Sequence, residues 1–313
     1  MKLKNSITFG SNFGYQSHLK SLIKIKNIEN NFIYSPKANI KLGLNKKFLI
    51  NKKQIKKIDF DLISIATPPK IQNKICIENI KKTKYFFLEK PLTENFKETL
   101  KLLKIFKKNK IKYFLNFIFP NIINFQIFKD LIKKKKITNG LYVWKFKQGY
   151  FKNRRINWKI KNSEGGGLVN FYLIHIFYNL LFLIGEFKII KIIQKKEKIL
   201  KKISIYVRTK NNFQIEIYVN INSNSNLHKI SFTDKKNIYE IKNKSKNWVQ
   251  NFNIYRNNII IKKDKNFYGR DDLTYINLRN FLKKKNFKKE KKFFELAHFY
   301  CNEINRLSKK QKY

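Results

Sequence analysis

Short apolar runs alternate with amphipathic stretches over the first part of the chain. Leu62 to Ala66 is a short run that is apolar on both faces, which is typical of a strand buried in the middle of a parallel sheet. Thr67-Pro68-Pro69 ends that run, since proline cannot donate a hydrogen bond to a neighbouring strand. Residues 71–82 then carry isoleucines at helical spacing, and Tyr85 to Leu88 is the next apolar run. The pattern predicts a βαβ unit.

The same alternation extends in both directions from this unit, which predicts an α/β domain with a doubly wound parallel sheet. The further predicted elements are a strand at Ile7 to Phe9, a helix over residues 15–25, a strand at Phe32 to Tyr34, a helix over Glu94 to Asn109 and a strand at Tyr113 to Phe117. Thr93 is expected to cap the helix that follows it. We place the end of this domain at residue 118, because Phe119-Pro120 breaks the pattern.

Residues 119–313 show a different pattern and are predicted to form a second α/β domain. Residues 187–260 alternate polar and apolar side chains over several stretches, as half-exposed antiparallel strands do. The predicted sheet is therefore mainly antiparallel. The other predicted elements are a helix over residues 121–136, a strand over Gly140 to Phe146, a helix that contains His175, and closing helices over Leu273 to Lys284 and Phe293 to Leu307.

The formal net charge of +50 is the most unusual property of the composition. Such a charge would normally favour a nucleic acid or an anionic membrane as partner. The basic residues are overwhelmingly lysine, however, and they lie along the whole chain. Lys, Asn and Ile share A/T-rich codons, so compositional drift of a genome explains the bias without selection for a partner. We therefore predict neither a specific nucleic-acid partner nor a membrane partner.

The cysteines and the apolar runs indicate the cellular compartment in which the protein is expected. Cys76 and Cys301 lie far apart in helical patterns, so they are expected to be buried side chains and not a disulfide or a metal pair. No long apolar run precedes Gly10, and the run from Leu168 to Gly185 is interrupted by polar residues. Neither a signal peptide nor a membrane span is predicted. We expect a cytoplasmic protein without a metal site.

A strand, a glycine turn and a helix near residue 10 suggest a dinucleotide site. Glycines let the backbone approach a pyrophosphate, which sits at the positive end of the helix. Asn12 stands at the middle glycine position of the usual pattern, and an ordinary strand-to-helix turn is the alternative. The predicted cofactor-binding residues are Gly10, Ser11, Asn12, Phe13, Gly14, Ser35, Lys37, Ala66, Thr67, Pro68, Gln72, Glu89 and Lys90.

The residues after the strand that ends at Tyr34 bear on the choice of cofactor. An acidic residue there would bind the ribose 2′-hydroxyl of NAD, and Ser35-Pro-Lys37 contains none. Ser35 and Lys37 suit a 2′-phosphate instead, which favours NADP over NAD. The alternative is a turn with a solvated lysine.

Four motifs follow one another along nearly the whole chain. They are Gly10-x-Asn12-Phe13-Gly14-Tyr15-x-x-His18-Leu19, Ile65-Ala-Thr-Pro-Pro69, Glu89-Lys-Pro-Leu92 and Gly165-Gly-Gly-x(7)-His175-x(9)-Gly185. In this order they resemble the Gfo/Idh/MocA oxidoreductases, the relatives of glucose–fructose oxidoreductase and inositol dehydrogenase. The resemblance implies an N-terminal Rossmann domain, a C-terminal α/β domain with an open sheet, and homo-oligomers (dimer or tetramer). It also implies hydride transfer between NAD or NADP and a hydroxyl or carbonyl of a sugar, nucleotide sugar or polyol.

The resemblance further implies two catalytic residues. Lys90 corresponds to the family's active-site lysine, whose ammonium stabilises negative charge that develops on the substrate oxygen. His175 corresponds to the catalytic histidine, a general acid and base near neutral pH. Both are expected to face the nicotinamide from opposite domains. The alternatives are a solvated lysine and a histidine of the apolar core.

Two departures from the family pattern leave a second function open. Phe171 stands where many relatives carry an aspartate, four residues before the histidine, and it cannot orient the imidazole or raise its basicity. Gln72 stands where a histidine often follows the Thr-Pro pair. The alternative function is a cofactor-binding family member that has lost turnover and acts as a sensor or structural partner. A nucleic-acid-binding protein is a third hypothesis, which rests on charge alone.

Overall fold

The chain forms two compact units in a computed structural model, which describes residues 2–35, 46–154, 156–195, 197–265, 268–284 and 287–310. The first unit comprises Met1–Ile118 and Gly269–Lys291, and the second comprises Phe119–Tyr268 and Lys292–Tyr313. The sequence prediction of a single boundary at residue 118 did not include the return of the chain to the first unit. Lys37, a predicted cofactor contact, lies outside the described residues.

The strands of the first unit are β1 (Leu3–Phe9), β2 (Ile28–Tyr34), β3 (Leu62–Ile65), β4 (Tyr85–Leu88) and β5 (Lys112–Leu115). The strands of the second unit are β6 (Asn139–Lys147), β7 (Phe187–Gln194), β8 (Lys202–Thr209), β9 (Gln214–Asn220), β10 (Asn222–Thr233), β11 (Ile238–Asn243), β12 (Asn253–Arg256) and β13 (Ile259–Lys262).

The α-helices are α1 (Lys20–Ile23), α2 (Lys52–Lys57), α3 (Pro69–Asn79), α4 (Phe96–Lys108), α5 (Ile123–Lys133), α6 (Gly149–Asn153), α7 (Ile174–Ile184), α8 (Arg270–Lys283) and α9 (Lys288–Lys310). A π-helical turn over Gly14–Leu19 leads into α1, and another over Leu168–Leu173 leads into α7. No described helix combines the length and the apolar character that a membrane crossing requires.

The sheet of the first unit is parallel, in the order β2-β1-β3-β4-β5. Its central strands are apolar on both faces because both faces are covered: Leu62, Ile63 and Ile65 of β3 are fully buried. The chain order reverses between β1 and β3, which creates the crevice where doubly wound sheets bind ligands. The predicted doubly wound parallel sheet is confirmed.

Helix starts in this unit follow simple capping chemistry. Pro69 occupies the first turn of α3, where its missing N–H leaves no helical hydrogen bond unmade. Asn95 caps α4, and its side chain accepts a hydrogen bond from the Glu98 N–H at 3.0 Å. The prediction that Thr93 is the cap was wrong, because the Thr93 hydroxyl donates to the Asn95 carbonyl oxygen at 2.7 Å.

The sheet of the second unit has eight strands in the order β13-β12-β11-β10-β6-β9-β8-β7. All neighbouring pairs are antiparallel except β6 and β9, which are parallel. Helix α5 packs against α7, β11 and β12, and the phenylalanines Phe125, Phe128 and Phe177 are fully buried in this core. The predicted second domain with a mainly antiparallel sheet is confirmed.

Candidate active site

The ends of β1 and β3 approach each other closely at Gly10 and Ala66. Gly10 has a backbone φ of +133°, and a Cβ atom at this position would lie 2.5 Å from the Ala66 carbonyl oxygen. A Cβ at Gly14 would meet Thr8 Cγ2 at 3.3 Å and Ala66 Cβ at 3.8 Å. The first glycine therefore permits the tight turn, and the second permits close packing of the following helix on the strands. Both are roles that glycines play in dinucleotide sites.

Seven of the other predicted contacts follow the carboxyl ends of β1, β2 and β3 and are at least partly exposed: Ser11, Asn12, Phe13, Ser35, Ala66, Thr67 and Pro68. The helical turn that begins at Gly14 has no acidic residue in its first turn. The positive end of the helical segment therefore carries no carboxylate that would repel an anion such as a pyrophosphate.

Lys90 directly follows Glu89 at the end of β4, the strand next to β3. Its side chain is buried, with 7% of its surface exposed. Lys90 therefore stands at the same sheet edge as the glycine turn, with β3 between the two strands that they follow. A partly desolvated cation at this edge can stabilise an oxygen that gains negative charge.

Gln72 does not lie at the surface of the crevice, contrary to the predicted cofactor contact. Its side chain is fully buried, and its amide NH₂ donates to the carbonyl oxygens of Glu89 (2.7 Å), Pro91 (3.2 Å) and Leu92 (2.9 Å). Its amide oxygen accepts from the Glu89 N–H at 3.0 Å. All of these partners belong to the strand end around Lys90. Gln72 therefore holds the backbone of that strand end in place from α3.

A buried polar network beside Lys90 was not predicted from the sequence. His18 Nε2 lies 3.0 Å from Glu89 Oε1, and His18 Nδ1 lies 2.7 Å from the Ser64 hydroxyl oxygen. The Asn116 amide also donates to Glu89 Oε1, at 2.8 Å. The Glu89 carboxylate is therefore held by two donors, and it supports the end of the strand that carries Lys90. The prediction that Glu89 contacts the cofactor stays a prediction.

Helix α8 completes this network from a distant part of the sequence. The Asn116 amide donates to the Thr274 hydroxyl at 3.0 Å, and the Asn277 amide donates to the Asn116 oxygen at 2.8 Å. Thr274 and Asn277 are three residues apart, so they share one face of the helix. Buried polar residues at helical spacing, here and at Ser17 and Ser21, are the sequence signal that would have indicated a helix packed against other polar groups.

His175 lies near the start of α7 in the second unit and is 8% exposed. Its ring is 5.5 Å from the ring of Phe119 and 6.0 Å from that of Trp144, both edge-on. Trp144 in turn stacks on His228 at 4.8 Å and contacts Trp248 at 5.3 Å. His175 is thus part of an aromatic cluster, and Trp248 brings that cluster to the surface with 36% of its own area exposed.

The glycine run before His175 is explained by close contacts within the second unit. A Cβ at Gly166 would collide with the Trp158 carbonyl oxygen, and one at Gly167 with the Asn162 side chain. Phe171, which replaces the acid of many relatives, packs edge-on against Trp158 at 5.1 Å. The phenylalanine therefore has a packing partner in this chain, and it extends the aromatic cluster.

The structure thus brings the glycine turn, Ala66 and Lys90 to one edge of the first sheet. His175 belongs to the second unit, and the prediction that Lys90 and His175 face one nicotinamide stays a prediction. In the ranges that the structure describes, no group of three or more His, Cys, Asp or Glu side chains could hold a metal ion.

Comparison with solved structures shows the same fold over the whole chain. The WlbA dehydrogenase from Bordetella pertussis, in complex with NADH and UDP-GlcNAcA, is 14% identical, with 97% of this chain and 95% of that chain covered at a TM-score of 0.75. Levoglucosan dehydrogenase in complex with NADH and L-sorbose is 12% identical over 97% and 98% of the two chains, with a TM-score of 0.75. The aldose-aldose oxidoreductase from Caulobacter crescentus, complexed with glycerol, is 12% identical over 100% and 99%, with a TM-score of 0.78.

Sequence comparisons place the match in the first unit. No curated protein sequence matches the chain. Residues 10–117 match the model of the Gfo/Idh/MocA family, described as an oxidoreductase family with an NAD-binding Rossmann fold. Nothing in these comparisons supports the alternative of a member without turnover. The matched segment contains the glycine turn, the end of β3 and Lys90, so this part of the chain is similar to the NAD-binding Rossmann domain of the Gfo/Idh/MocA oxidoreductases.

Proposed function

We propose that the protein is a nicotinamide-dependent oxidoreductase that acts on a hydroxyl or carbonyl group of a sugar, nucleotide sugar or polyol. The observation that carries this proposal is the position of Lys90. Lys90 is buried and follows β4, the strand next to the Gly10–Ala66 crevice, in a sheet whose strand order reverses at that crevice. A ligand bound at this edge has a fixed cation within reach of its reacting end.

Lys90 is proposed to hold and stabilise the substrate oxygen. A nicotinamide cofactor, when bound, accepts or supplies the hydride. The hydroxyl oxygen of an alcohol substrate becomes more negative as its hydrogen leaves, so an ammonium donor favours the transition state over the ground state. Because Gln72 and Glu89 fix the strand end, the donor is held in place before the substrate arrives. His175 is proposed to transfer the hydroxyl proton, on the basis of the family motif.

The sugar-like substrate is supported by the relatives and by the second unit. The structural relatives are described as dehydrogenases or an oxidoreductase in complex with UDP-GlcNAcA, L-sorbose or glycerol. In this chain the aromatic cluster around Trp144 and Trp248 contains His175. Aromatic side chains with a few polar groups are typical of surfaces that bind small ring-shaped ligands. A homo-oligomeric state and a cytoplasmic location stay predictions.

Replacement of Lys90 tests the proposed function. We expect Lys90→Ala to lower kcat at least ~100-fold with a sugar substrate, while the Kd for the reduced cofactor changes little, because the stabilised charge develops during the reaction. His175→Ala should give a smaller loss, since Phe171 does not orient the imidazole. Steady-state kinetics over a panel of sugars and polyols, with calorimetry for the cofactor, measure both quantities.

Lys84→Ala is the matched control, because Lys84 precedes the same strand and is exposed. It should retain the activity of the unmodified protein. Equal kcat values for Lys90→Ala and Lys84→Ala would contradict the role of Lys90. A folded protein that binds neither NADH nor NADPH at millimolar concentration would contradict the proposed function as a whole.

The cofactor is proposed to be NADP rather than NAD. The support is the absence of an acidic residue directly after β2, where Ser35 stands. The Kd for NADPH should therefore be lower than that for NADH, and Ser35→Asp should reverse the order, because a carboxylate repels the 2′-phosphate and accepts a hydrogen bond from a 2′-hydroxyl. Equal Kd values for the two cofactors in the unmodified protein would contradict this preference.

A further inference from the structure

Arg270 packs on Phe13 of the glycine turn (residues 10–14), although the two residues are far apart in the sequence. It is the first residue of α8, and its guanidinium carbon lies 5.2 Å from the centre of the Phe13 ring. The side chain is exposed. Phe13 stands between Asn12 and Gly14, so the guanidinium packs on a side chain of the segment that would meet a pyrophosphate.

The start of α8 is fixed to the helical segment that follows the nucleotide turn. The Ser17 and Thr274 hydroxyl oxygens lie 2.7 Å apart, and the Ser21 hydroxyl donates to the Asp271 carbonyl oxygen at 2.8 Å. Lys24 makes ion pairs with Asp271 at 3.1 Å and Asp272 at 2.8 Å. These contacts come from two successive turns of the segment. These contacts fix the position of Arg270 relative to the glycine turn.

The local charges leave the guanidinium available to an anion. Among the described residues, Arg270 makes no ion pair, while both neighbouring aspartates are paired with Lys24. Partial desolvation lowers the pKa of Arg270, and the negative charge of Glu89 acts in the opposite direction. The Glu89 carboxylate is itself hydrogen-bonded to His18 and Asn116. Ligand phosphates can therefore approach Arg270 without displacing a carboxylate partner.

We propose that Arg270 binds the pyrophosphate of the nicotinamide cofactor. This inference rests on the proposed function, because it concerns the same cofactor. A planar guanidinium donates two parallel hydrogen bonds to phosphate oxygens. Asn12 occupies the position at which a glycine would let the backbone approach the pyrophosphate, so a side-chain cation from α8 supplies binding that the turn alone provides less well. The cofactor site is thus built from two segments of the chain.

The test uses ADP-ribose, which carries the pyrophosphate but no nicotinamide. Calorimetric titration of the full chain should give a Kd at least ~10-fold higher for Arg270→Gln than for the unmodified protein, the usual effect of a lost charged hydrogen bond. Arg270→Met should give the same increase, since it keeps an apolar stem on Phe13 but no charge. Arg279→Gln is the control: Arg279 is exposed on the same helix, and its replacement should change the Kd less than twofold.

Salt provides a second readout that a packing role would not change. The Kd of the unmodified protein and of Arg279→Gln should rise with NaCl more steeply than that of the Arg270 variants, because a charge contact is screened. Folding of each variant is checked by its melting temperature, and Arg270→Met decides the question if Arg270→Gln does not fold.

Two results would overturn the inference. The first is a Kd for ADP-ribose within twofold of the unmodified protein in a folded Arg270 variant. The second is an unchanged salt dependence in that variant. Either result leaves the proposed function standing as long as the unmodified protein binds ADP-ribose and a nicotinamide dinucleotide. If the unmodified protein binds neither, the proposed function fails and this inference fails with it.

Discussion

Single buried polar residues hold the reacting end of β4 in place. Gln72 makes four hydrogen bonds to the backbone from Glu89 to Leu92. A buried amide with unmade bonds costs free energy, so each of these contacts restricts the strand end. Lys90 therefore projects from a backbone that has few alternative positions.

Histidines away from the crevice make the stability of the protein sensitive to acid. Burial lowers the pKa of His228 to about 3 and that of His298 to about 4, whereas an unfolded histidine titrates near ~6.5. Between these values the unfolded chain binds protons that the folded chain does not, so the free energy of unfolding rises with pH. We expect it to fall by up to about 2 kcal/mol per histidine when the pH is lowered from 6.5 to 5.

Urea unfolding at several pH values, compared between the unmodified protein and His228→Gln, measures this effect. His228 Nε2 contacts the Tyr142 hydroxyl at 2.7 Å, so the variant should be less stable at pH 7. The informative quantity is the change in the free energy of unfolding per pH unit, which should be smaller for the variant between pH 6.5 and 5. Identical slopes would mean that His228 takes up a proton in the folded protein.

At the scale of elements, the close approach of the ends of β1 and β3 at the crevice depends on one glycine. Gly10→Ala would put a Cβ atom 2.5 Å from the Ala66 carbonyl oxygen and would impose a side chain on a residue with φ of +133°. We expect a loss of about 2 kcal/mol or more in the free energy of unfolding, with weaker dinucleotide binding. Gly14→Ala should cost less, since its nearest neighbour would be a methyl group at 3.3 Å.

Gly149→Ala is a suitable control, because nothing lies within 4 Å of a Cβ atom there. It should change the free energy of unfolding by less than about 0.5 kcal/mol. Urea unfolding of the three variants measures the order. If Gly10→Ala and Gly149→Ala were equally stable, the ends of β1 and β3 would have to separate at little cost.

The sequence predicts an element well when its burial follows from its own pattern. Strand β4 has the predicted bounds, Tyr85–Leu88, because a run that is apolar at every position has few other interpretations. Strand β13 was not identified, since all four of its residues are exposed and it shows no alternation. The helical turn from Gly14 to Leu19 was predicted as an ordinary helix, because its π-helical hydrogen bonding has no signature in apolar spacing.

The candidate site was predictable to the extent that its residues stand in local motifs. Gly10 and Lys90 each follow a strand within a short recognisable segment. The roles of His18 and Arg270 depend on contacts with distant residues, and no local pattern reports such contacts. Arginine is rare in this chain, with seven among the 70 basic residues. This rarity was the one sequence feature that could have pointed to Arg270 as a candidate for anion binding. Gln72 was assigned to the cofactor because its motif position was known and its burial was not.

At the scale of the whole molecule, the lysine-rich composition has little influence on the fold. The ion pairs of the described residues lie mostly at exposed positions, where each contributes little to stability. The cores are instead built from phenylalanine, isoleucine and leucine. The strands and helices could therefore be predicted from the apolar pattern despite a net charge of +50.

The return of α8 to the first unit has a consequence for synthesis on the ribosome. Ser17 and Asn116 both bond to Thr274, and the polymerised chain reaches Thr274 only after all of residues 119–268 have been added. Domains usually fold one after another as they emerge, starting from the N-terminus. Here the nascent Rossmann sheet must wait, with one flank uncovered, for a helix that follows the whole of residues 119–268 in the chain. A fragment that stops at residue 118 lacks that helix permanently.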